Sequence, residues 1–235
     1  MYVHQKFFLP PETSSPCKNR EDARKLMAET LDPLPEVAKE LLWQGDGQAR
    51  SGANPYILYG SDMGRTINVI ALGEPRCMWW CENSHLVEKA LRQRFNTGLI
   101  EQFRKIGAVD MQESHAPIEY AVSRHVYSKN SNNTDLIEAS KAKQSCGVLD
   151  KAVEASLLRG LEVSCNLVLS ELPEDFLLMR VSAKPLSPVP AKAGRVFMSA
   201  ATRFVINKRL VGPWFVGHLR GRGYGRIVPT GRAVL

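Results

Sequence analysis

The sequence predicts an α+β protein built from two ferredoxin-like units in tandem, of which the second is degenerate. Over residues 1–114 the local patterns follow the order strand, helix, hairpin of strands, helix, strand, which is the βαββαβ order of that fold. Residues 115–235 repeat this order less regularly. A chain of 235 residues is long enough to form two such units.

Each element of the first unit has a local signal. An apolar run at residues 2–9, closed by two prolines, predicts a strand, and helical spacing from 20 to 43 predicts a helix that Pro33 and Pro35 interrupt. A glycine turn between two apolar runs predicts a hairpin. The remaining expectations are strands at 56–59 and 66–72, an apolar piece at 76–81, a helix from Asn83 or Ser84 that breaks and resumes at 99–106, and a strand at about 108–112.

The second unit is less regular. A strand over 117–127 is disturbed at Arg124 and His125, and a helix-prone insertion at about 134–160 keeps a four-residue repeat of leucine and valine. The further expectations are strands at 161–169 and 176–181, a proline-rich linker at 184–194, a strand at 195–206 and a last strand at 224–229.

The charge balance restricts the class of partner. The formal net charge is +7, which favours polyanionic partners, with nucleic acid first and an anionic membrane surface second. The amino-terminal residues are too polar for a signal peptide, and no apolar run reaches the roughly 20 residues that span a bilayer. We therefore expect a cytoplasmic protein that does not use a membrane.

The cysteines do not predict a disulfide framework, because five is an odd number and they are scattered. Cys77, Cys81 and His85 repeat at four-residue spacing, so a zinc site is an alternative. The residues between them are apolar and no fourth ligand is evident, which favours reduced, buried thiols. We expect neither a metal nor a cofactor.

The carboxy-terminal run from 212 to 227, here called the glycine-rich segment, is the strongest functional signal. Arginines alternate with glycines, which allow a close backbone approach, and Tyr224 adds a stacking face. This pattern favours a surface for a nucleic-acid backbone, with a tight hairpin carrying solvated arginines as the alternative. The candidate RNA-binding residues are Arg20, Lys208, Arg209, Arg220, Gly221, Gly223, Tyr224, Gly225 and Arg226.

The sequence excludes several kinds of catalytic site. The glycine-rich segment lacks the lysine and hydroxyl of a P-loop, no Gly-x-Ser-x-Gly elbow occurs, and the acidic residues are too dispersed for a two-metal nuclease. Any strand scission must therefore be metal-free. RNA permits this chemistry, because its 2′-hydroxyl is a built-in nucleophile.

Taken together, the two α+β units, the glycine-rich segment and the Leu-Leu-Trp-Gln-Gly-Asp-Gly-Gln-Ala-Arg run at 41–50 resemble the repeat-processing endoribonucleases of CRISPR systems. That superfamily pairs RNA-recognition-type folds with a carboxy-terminal glycine-rich loop, and the version in type IV systems is the most similar. The resemblance implies cleavage at the base of a CRISPR repeat hairpin to give a 2′,3′-cyclic phosphate. It also implies retention of the product and association with other subunits of a CRISPR ribonucleoprotein complex.

Many members of that superfamily place a general-base histidine on the first helix or the loop after it, but residues 19–54 contain no histidine. Either the catalytic role falls to Arg24, Arg50 and Arg222, as stabilisers of charge rather than as bases because arginine stays protonated, or the protein binds RNA without cutting it. Each has a structural alternative: Arg50 as a solvated loop residue, and Arg24 as a partner of Glu21 or Asp22.

Three hypotheses of function stay open at this point. The first is a metal-independent CRISPR endoribonuclease. The second is a non-catalytic RNA-binding scaffold subunit of a CRISPR effector complex, which the missing histidine favours. The third is a ribosome-associated RNA-binding protein. His125 is either a proton donor or a structural histidine, and His218 is either close to the RNA or exposed by its glycine neighbours.

Overall fold

The computed structural model describes residues 1–10, 20–30, 57–62, 65–128, 137–138, 147–169, 171–190 and 196–233. The chain divides into two units. The first comprises Met1–Ala108 with Gly221–Gly223, and the second comprises Val109–Arg220 with Tyr224–Leu235. The boundary expected between residues 114 and 115 lies inside the strand Asp110–Ser128.

The first unit is an antiparallel sheet with two helices. Its elements are β1 (Tyr2–Phe8), α1 (Arg20–Thr30), β2 (Ile57–Gly60), β3 (Thr66–Leu72), α2 (Glu74–Arg94) and β4 (Gln102–Gly107). The strands lie in the order β2-β3-β1-β4, and every neighbouring pair is antiparallel. This is the ferredoxin-like arrangement that the order of elements predicts.

The core of the first unit lies between the sheet and the two helices. Val3 and Phe7 alternate along β1 with less buried residues, as a strand with one covered face requires. Trp80 of α2 is fully buried, lies edge-on to Phe7, and its indole N–H donates to Oε1 of Gln5 at 2.9 Å. Gln5 is thus a buried polar group that is satisfied inside the core.

Two expectations for the first unit are wrong. Residues 76–81 are not a separate piece, because α2 begins at Glu74 with Pro75 in its first turn, where a missing N–H costs nothing. Residues 102–107, expected in a helix, form β4 instead. The helix ends because Asn96 adopts a left-handed φ of 47° and the Thr97 N–H bonds back to the Arg92 carbonyl at 3.1 Å.

The second unit keeps the same strand order without the second helix. Its elements are β5 (Asp110–Ser128), α3 (Gly147–Val168), β6 (Leu178–Pro190), β7 (Val196–Val211), β8 (Trp214–Phe215) and β9 (Arg226–Ala233). The sheet order is β6-β7-β5-β9-β8. Its first four strands correspond in sequence to β2-β3-β1-β4, and the glycine-rich segment occupies the chain between β7 and β9. The prediction of a degenerate second unit is confirmed.

Several boundaries expected in the second unit are wrong. The strand expected at 161–169 is part of α3, whose buried residues Leu157, Leu161 and Cys165 continue the four-residue repeat. The insertion expected at 134–160 therefore extends to 168, while 134–136 and 139–146 lie outside the described residues. The linker expected from 184 is strand as far as Pro190, because β6 pairs with β7 up to Pro190 opposite Val196.

Replacing Trp80 with phenylalanine should lower the free energy of unfolding by about 2–4 kcal/mol, because it removes the indole donor to Gln5 and leaves a small cavity. Trp79, its half-buried neighbour, provides the matched control, and Trp79→Phe should cost less than about 1 kcal/mol. Urea denaturation measures both. Equal losses for the two variants would contradict the assignment of Trp80 to the core.

Candidate nucleic-acid interface

The glycine-rich segment begins with three buried residues that anchor it to the second unit. Trp214, Phe215 and Val216 are all at most slightly exposed. Trp214 and Phe215 pair with Ile227 and Arg226 of β9, and the Ser164 hydroxyl of α3 donates to the Phe215 carbonyl at 2.7 Å. One end of the segment is therefore fixed to both the sheet and the helix.

Two glycines lie at the base of the glycine-rich segment, at positions where there is no room for a side chain. Gly217 and Gly225 have φ values of 76° and 78°. A Cβ at Gly225 would lie 1.8 Å from the Val216 carbonyl oxygen, and one at Gly217 would lie 2.6 Å from the His125 ring. The tight-hairpin interpretation thus accounts for these two glycines without any ligand.

Backbone hydrogen bonds hold residues 217–224 against β5 at both ends. The His218 N–H donates to the Val126 carbonyl at 2.7 Å, and the Gly225 N–H donates to the Arg124 carbonyl at 3.1 Å. Val216 N–H and the Gly225 carbonyl close the base at 2.9 Å. The excursion between these bonds therefore has a defined start and end on β5.

The excursion carries the arginines that the sequence singled out. Leu219, with a φ of 57°, is a left-handed non-glycine residue at the point where the chain enters a 3-10 turn, Arg220–Arg222. Gly221 lies in that turn, Gly223 follows it at a φ of 79°, and Arg226 is exposed at the start of β9. Burial lowers the pKa of Arg220 to about 10, which leaves it protonated at neutral pH.

Arg124 adds a cation to this segment that the sequence analysis did not assign. Its guanidinium carbon lies 6.0 Å from the centroid of the Tyr224 ring, and Nη2 donates to the Ser187 carbonyl at 2.8 Å. The strand β5 shifts register between Val122 and His125, which turns Arg124 out of the regular alternation. The break in the strand pattern at Arg124–His125 was the sequence feature that could have indicated this residue.

His125 is a structural histidine. Its ring is fully buried, with Nε2 3.0 Å from the Ser156 hydroxyl and Nδ1 3.4 Å from the Thr202 hydroxyl. Burial, with a smaller effect of the His218 charge, lowers the pKa of His125 to about 3. The ring is neutral at physiological pH, so it does not act as a proton donor there.

Lys208 does not have the geometry of an RNA contact, which corrects the prediction made for it. Its side chain is buried, and its ammonium donates to the carboxylates of Glu113 and Asp175. These two hydrogen bonds raise the pKa of Lys208. A phosphate would have to displace both carboxylates. The neighbouring Arg209 is exposed on β7, opposite Gln112, and stays a candidate.

A model of the family described as type IV CRISPR-associated endonuclease Csf5 matches residues 6–231. The chain belongs to this Csf5 family. Among solved structures it is similar to one described as Csf5, CRISPR-Cas type IV Cas6 crRNA endonuclease, with 18% identity, a TM-score of 0.59, and 97% of this chain and 98% of that chain covered.

The chain is also similar to a crystal structure of Cas6b, with 14% identity, a TM-score of 0.67, and coverage of 97% of this chain and 98% of that chain. Because both identities are low, these two similarities establish a shared fold only: this chain has the fold of the solved Csf5 and Cas6b structures. No curated protein sequence matches the chain at a significant level.

The predicted catalytic arginines of this Csf5-family chain lie in different parts of the sequence. Arg24 is half-buried on α1, where its charge opposes the rise that burial causes in the pKa of Tyr59. Arg20 begins α1, Arg222 ends the 3-10 turn, and the side chains of both lie outside what the structure describes. Arg50 lies wholly outside the described residues.

The described residues do not contain a group of three or more histidine, cysteine, aspartate or glutamate side chains placed to hold a metal ion. Cys77, one of the three residues of the zinc alternative, is buried and donates its thiol to the Ala71 carbonyl at 3.5 Å. None of the described helices is long and apolar enough to cross a membrane.

Replacing Gly225 with alanine should lower the free energy of unfolding by about 2–4 kcal/mol, because the Cβ strikes the Val216 carbonyl and the positive φ is strained. Thermal denaturation measures the loss. Gly98, where a Cβ meets nothing within 4 Å, is the matched control, and Gly98→Ala should change the free energy by less than about 0.5 kcal/mol. A Gly225→Ala variant as stable as the control would show that the segment closes differently.

Stability should fall as the pH drops below about 6.5, because the unfolded chain then binds a proton on His125 that the folded chain, with a pKa of about 3, does not. The expected slope from this residue is up to about 1.4 kcal/mol per pH unit between pH 6 and pH 4. Urea denaturation across this range should show a shallower slope for His125→Gln. His115→Gln, a change at an exposed histidine, should keep the wild-type slope; parallel slopes for all three proteins would contradict the assignment.

Proposed function

We propose that the protein is a metal-independent endoribonuclease that cleaves CRISPR repeat hairpins into guide RNAs and retains its product. The observation that carries this proposal is the clamped glycine-rich segment in a chain of the Csf5 endonuclease family. The closed segment carries Arg220, Tyr224 and Arg226, and the Arg124 guanidinium of β5 lies 6.0 Å from the Tyr224 ring. These are groups suited to phosphates and to a base face.

The proposed reaction is an internal transfer at one phosphate. The 2′-oxygen attacks phosphorus, the bond from phosphorus to the 5′-oxygen breaks, and the products are a 2′,3′-cyclic phosphate and a 5′-hydroxyl. The 2′-hydroxyl loses one proton and the leaving 5′-oxygen gains one, so no net proton is consumed. The protein has to stabilise the extra negative charge on the pentacovalent phosphate.

In this proposal Arg24, Arg50 and Arg222 lie at the scissile phosphate, and the other cations hold the RNA. Permanently charged guanidinium groups suit the stabilising role, because they offer paired donors to phosphate oxygens. The residues proposed to bind the RNA backbone or stack on it are Arg20, Arg124, Arg209, Arg220, Arg226 and Tyr224, together with the close backbone approach that Gly221, Gly223 and Gly225 allow.

Proton transfer is assigned to solvent or to the phosphate itself. Residues 19–54 lack the histidine that many related enzymes use, and the low pKa of His125 makes it unsuitable as an acid at neutral pH. Slow, nearly single-turnover cleavage is the expected consequence, and it suits an enzyme that stays on its product within a CRISPR ribonucleoprotein complex.

The second candidate is a non-catalytic RNA-binding scaffold subunit. The observation that favours it is the neutral, buried state of His125, which removes one possible proton donor from the vicinity of the glycine-rich segment. This candidate shares the RNA-binding residues with the first. The two differ only in whether the RNA backbone is cut.

Incubation with a labelled repeat RNA in excess EDTA should give one product that ends in a 2′,3′-cyclic phosphate, because 2′-hydroxyl attack needs no metal. A substrate with a 2′-deoxy residue at the cut site should bind equally well and stay intact. Loss of cleavage in EDTA, or cutting of the deoxy substrate, would refute the mechanism. Tight binding with no cleavage of the natural RNA would select the scaffold.

Replacing Arg222 with alanine should slow single-turnover cleavage by about 100-fold, because an electrostatic stabiliser of the transition state typically contributes on this order. The dissociation constant for the uncut RNA should rise less than tenfold. Arg94→Ala removes an exposed arginine that is paired with Glu29 in the first unit, and it should leave both quantities within threefold. An Arg222→Ala variant that cleaves at the wild-type rate would remove this residue from the proposed site.

A further inference from the structure

The helices of the first unit cover one face of its sheet. On the opposite face β3 is buried, whereas β4 and the end of β1 are exposed. Gln102 and Arg104 of β4 bond to Glu88 and Ser84 of α2, so even-numbered residues of β4 point towards the helices. Phe103 and Lys105 therefore point to the opposite face.

On β1 the odd-numbered residues Val3 and Phe7 belong to the helix-covered core, and Gln5 bonds Trp80 there. His4, Lys6 and Phe8 consequently lie on the same face as Phe103 and Lys105.

Strand register places these side chains next to one another. Lys6 is opposite Phe103, and His4 is opposite Lys105, in the antiparallel pair of β1 and β4. Directly opposed residues have Cβ atoms about 5 Å apart, and diagonal neighbours such as Phe8 and Phe103 about 7 Å apart. Lys6, Phe8, Phe103 and Lys105 thus form one continuous patch, here called the aromatic platform.

The aromatic platform is accessible. Phe103 is 50% exposed and Phe8 is 37% exposed, which is unusual for two large aromatic rings on one sheet face. Lys105 is exposed as well, and Lys6 is half-buried with its ammonium 2.7 Å from the Asp62 carboxylate. Exposed rings flanked by cations on an antiparallel sheet are the combination that stacks unpaired bases and holds their phosphates.

We propose that the aromatic platform binds unpaired nucleotides that flank the hairpin, with bases stacked on Phe8 and Phe103 and a phosphate near Lys105. The proposal rests on the RNA-binding function proposed above and adds a second contact surface, which accounts for exposed residues that the glycine-rich segment does not explain. The net charge of +7 and the flanking lysines favour RNA over an apolar protein surface as the occupant.

The test measures dissociation constants for three RNAs by fluorescence anisotropy: the hairpin alone, the hairpin with an unpaired flank, and the hairpin with an abasic flank. Wild-type protein should bind the hairpin with the unpaired flank, here called the natural flank, at least tenfold more tightly than the hairpin with the abasic flank. Only the natural flank has bases to stack. The hairpin alone should bind about as tightly as the hairpin with the abasic flank.

The Phe8→Ala and Phe103→Ala variants should each lose about tenfold in affinity for the natural flank and little for the abasic flank. Phe103→Tyr, which keeps an aromatic ring, should bind as the wild type does, and so shows whether the ring itself is needed. Leu99→Ala removes a side chain that is 72% exposed outside the strands, and serves as the control. Melting temperatures close to that of the wild type establish that each variant is folded.

Equal affinities of the wild type for natural and abasic flanks would overturn the aromatic platform, as would equal losses on all three RNAs in the alanine variants. So would alanine variants that keep RNA affinity but fail to bind another protein subunit. Failure of the proposed function is a different result, in which the wild type neither binds nor cuts the hairpin. In that case the affinity for an unpaired oligoribonucleotide tests the aromatic platform directly. The same alanine variants should then lose about tenfold in that affinity.

Discussion

The structure of the candidate interface depends on one close backbone approach, between Gly225 and the carbonyl of Val216. A Cβ at Gly225 would lie 1.8 Å from that oxygen, so only glycine permits the chain to return alongside β8. The Val216 N–H and the Gly225 carbonyl then close the loop at 2.9 Å. The His218 and Gly225 N–H groups also bond to carbonyls of β5, so the excursion is held at its base by three backbone hydrogen bonds. Gly217 and Gly225 therefore have a structural cause that comes before any ligand.

This closure also limits the chemistry that the segment can perform. Gly217 lies so close to the His125 ring that a Cβ there would be 2.6 Å from it, and burial of the ring lowers the pKa of His125 to about 3. The segment thus carries cations, while the histidine beneath it is neutral. Such an arrangement favours the binding of negative charge over proton transfer.

The fold class could be predicted from sequence because the order of periodic segments is a strong signal, whereas several boundaries could not. Gly160 and the residues after it show why. The sequence predicts a strand from residue 161, and glycine is a poor helix residue, yet α3 continues to Val168. A Cβ at Gly160 would lie 2.8 Å from Cβ of Val216, so the glycine serves the packing of α3 against the glycine-rich segment. The helix propensities of neighbouring residues cannot predict a contact with a residue that is distant in the sequence.

The site residues were less uniformly predictable than the fold class. The arginines of the glycine-rich segment stood out because their spacing is local, and the structure places Arg220 and Arg226 on or beside its excursion. Lys208 was misassigned because its partners Glu113 and Asp175 are distant in sequence, and a sequence shows a cation without its ion pair. Arg124 was missed for the same reason, since its neighbour Tyr224 comes from the far end of the chain.

The two units show how one strand order can serve two purposes. In the first unit α2 covers the core with Trp80, Val87 and Leu91. In the second unit the glycine-rich segment takes that helix's position in the chain order, and its residues Trp214–Phe215 extend the sheet as the edge strand β8, with buried side chains beside α3. A helix would bond its own backbone internally, while this short strand bonds to β9 and the backbone after it bonds to β5. A closed loop thus stands where the first unit has a helix in its chain order, and the order of the sheet is unchanged.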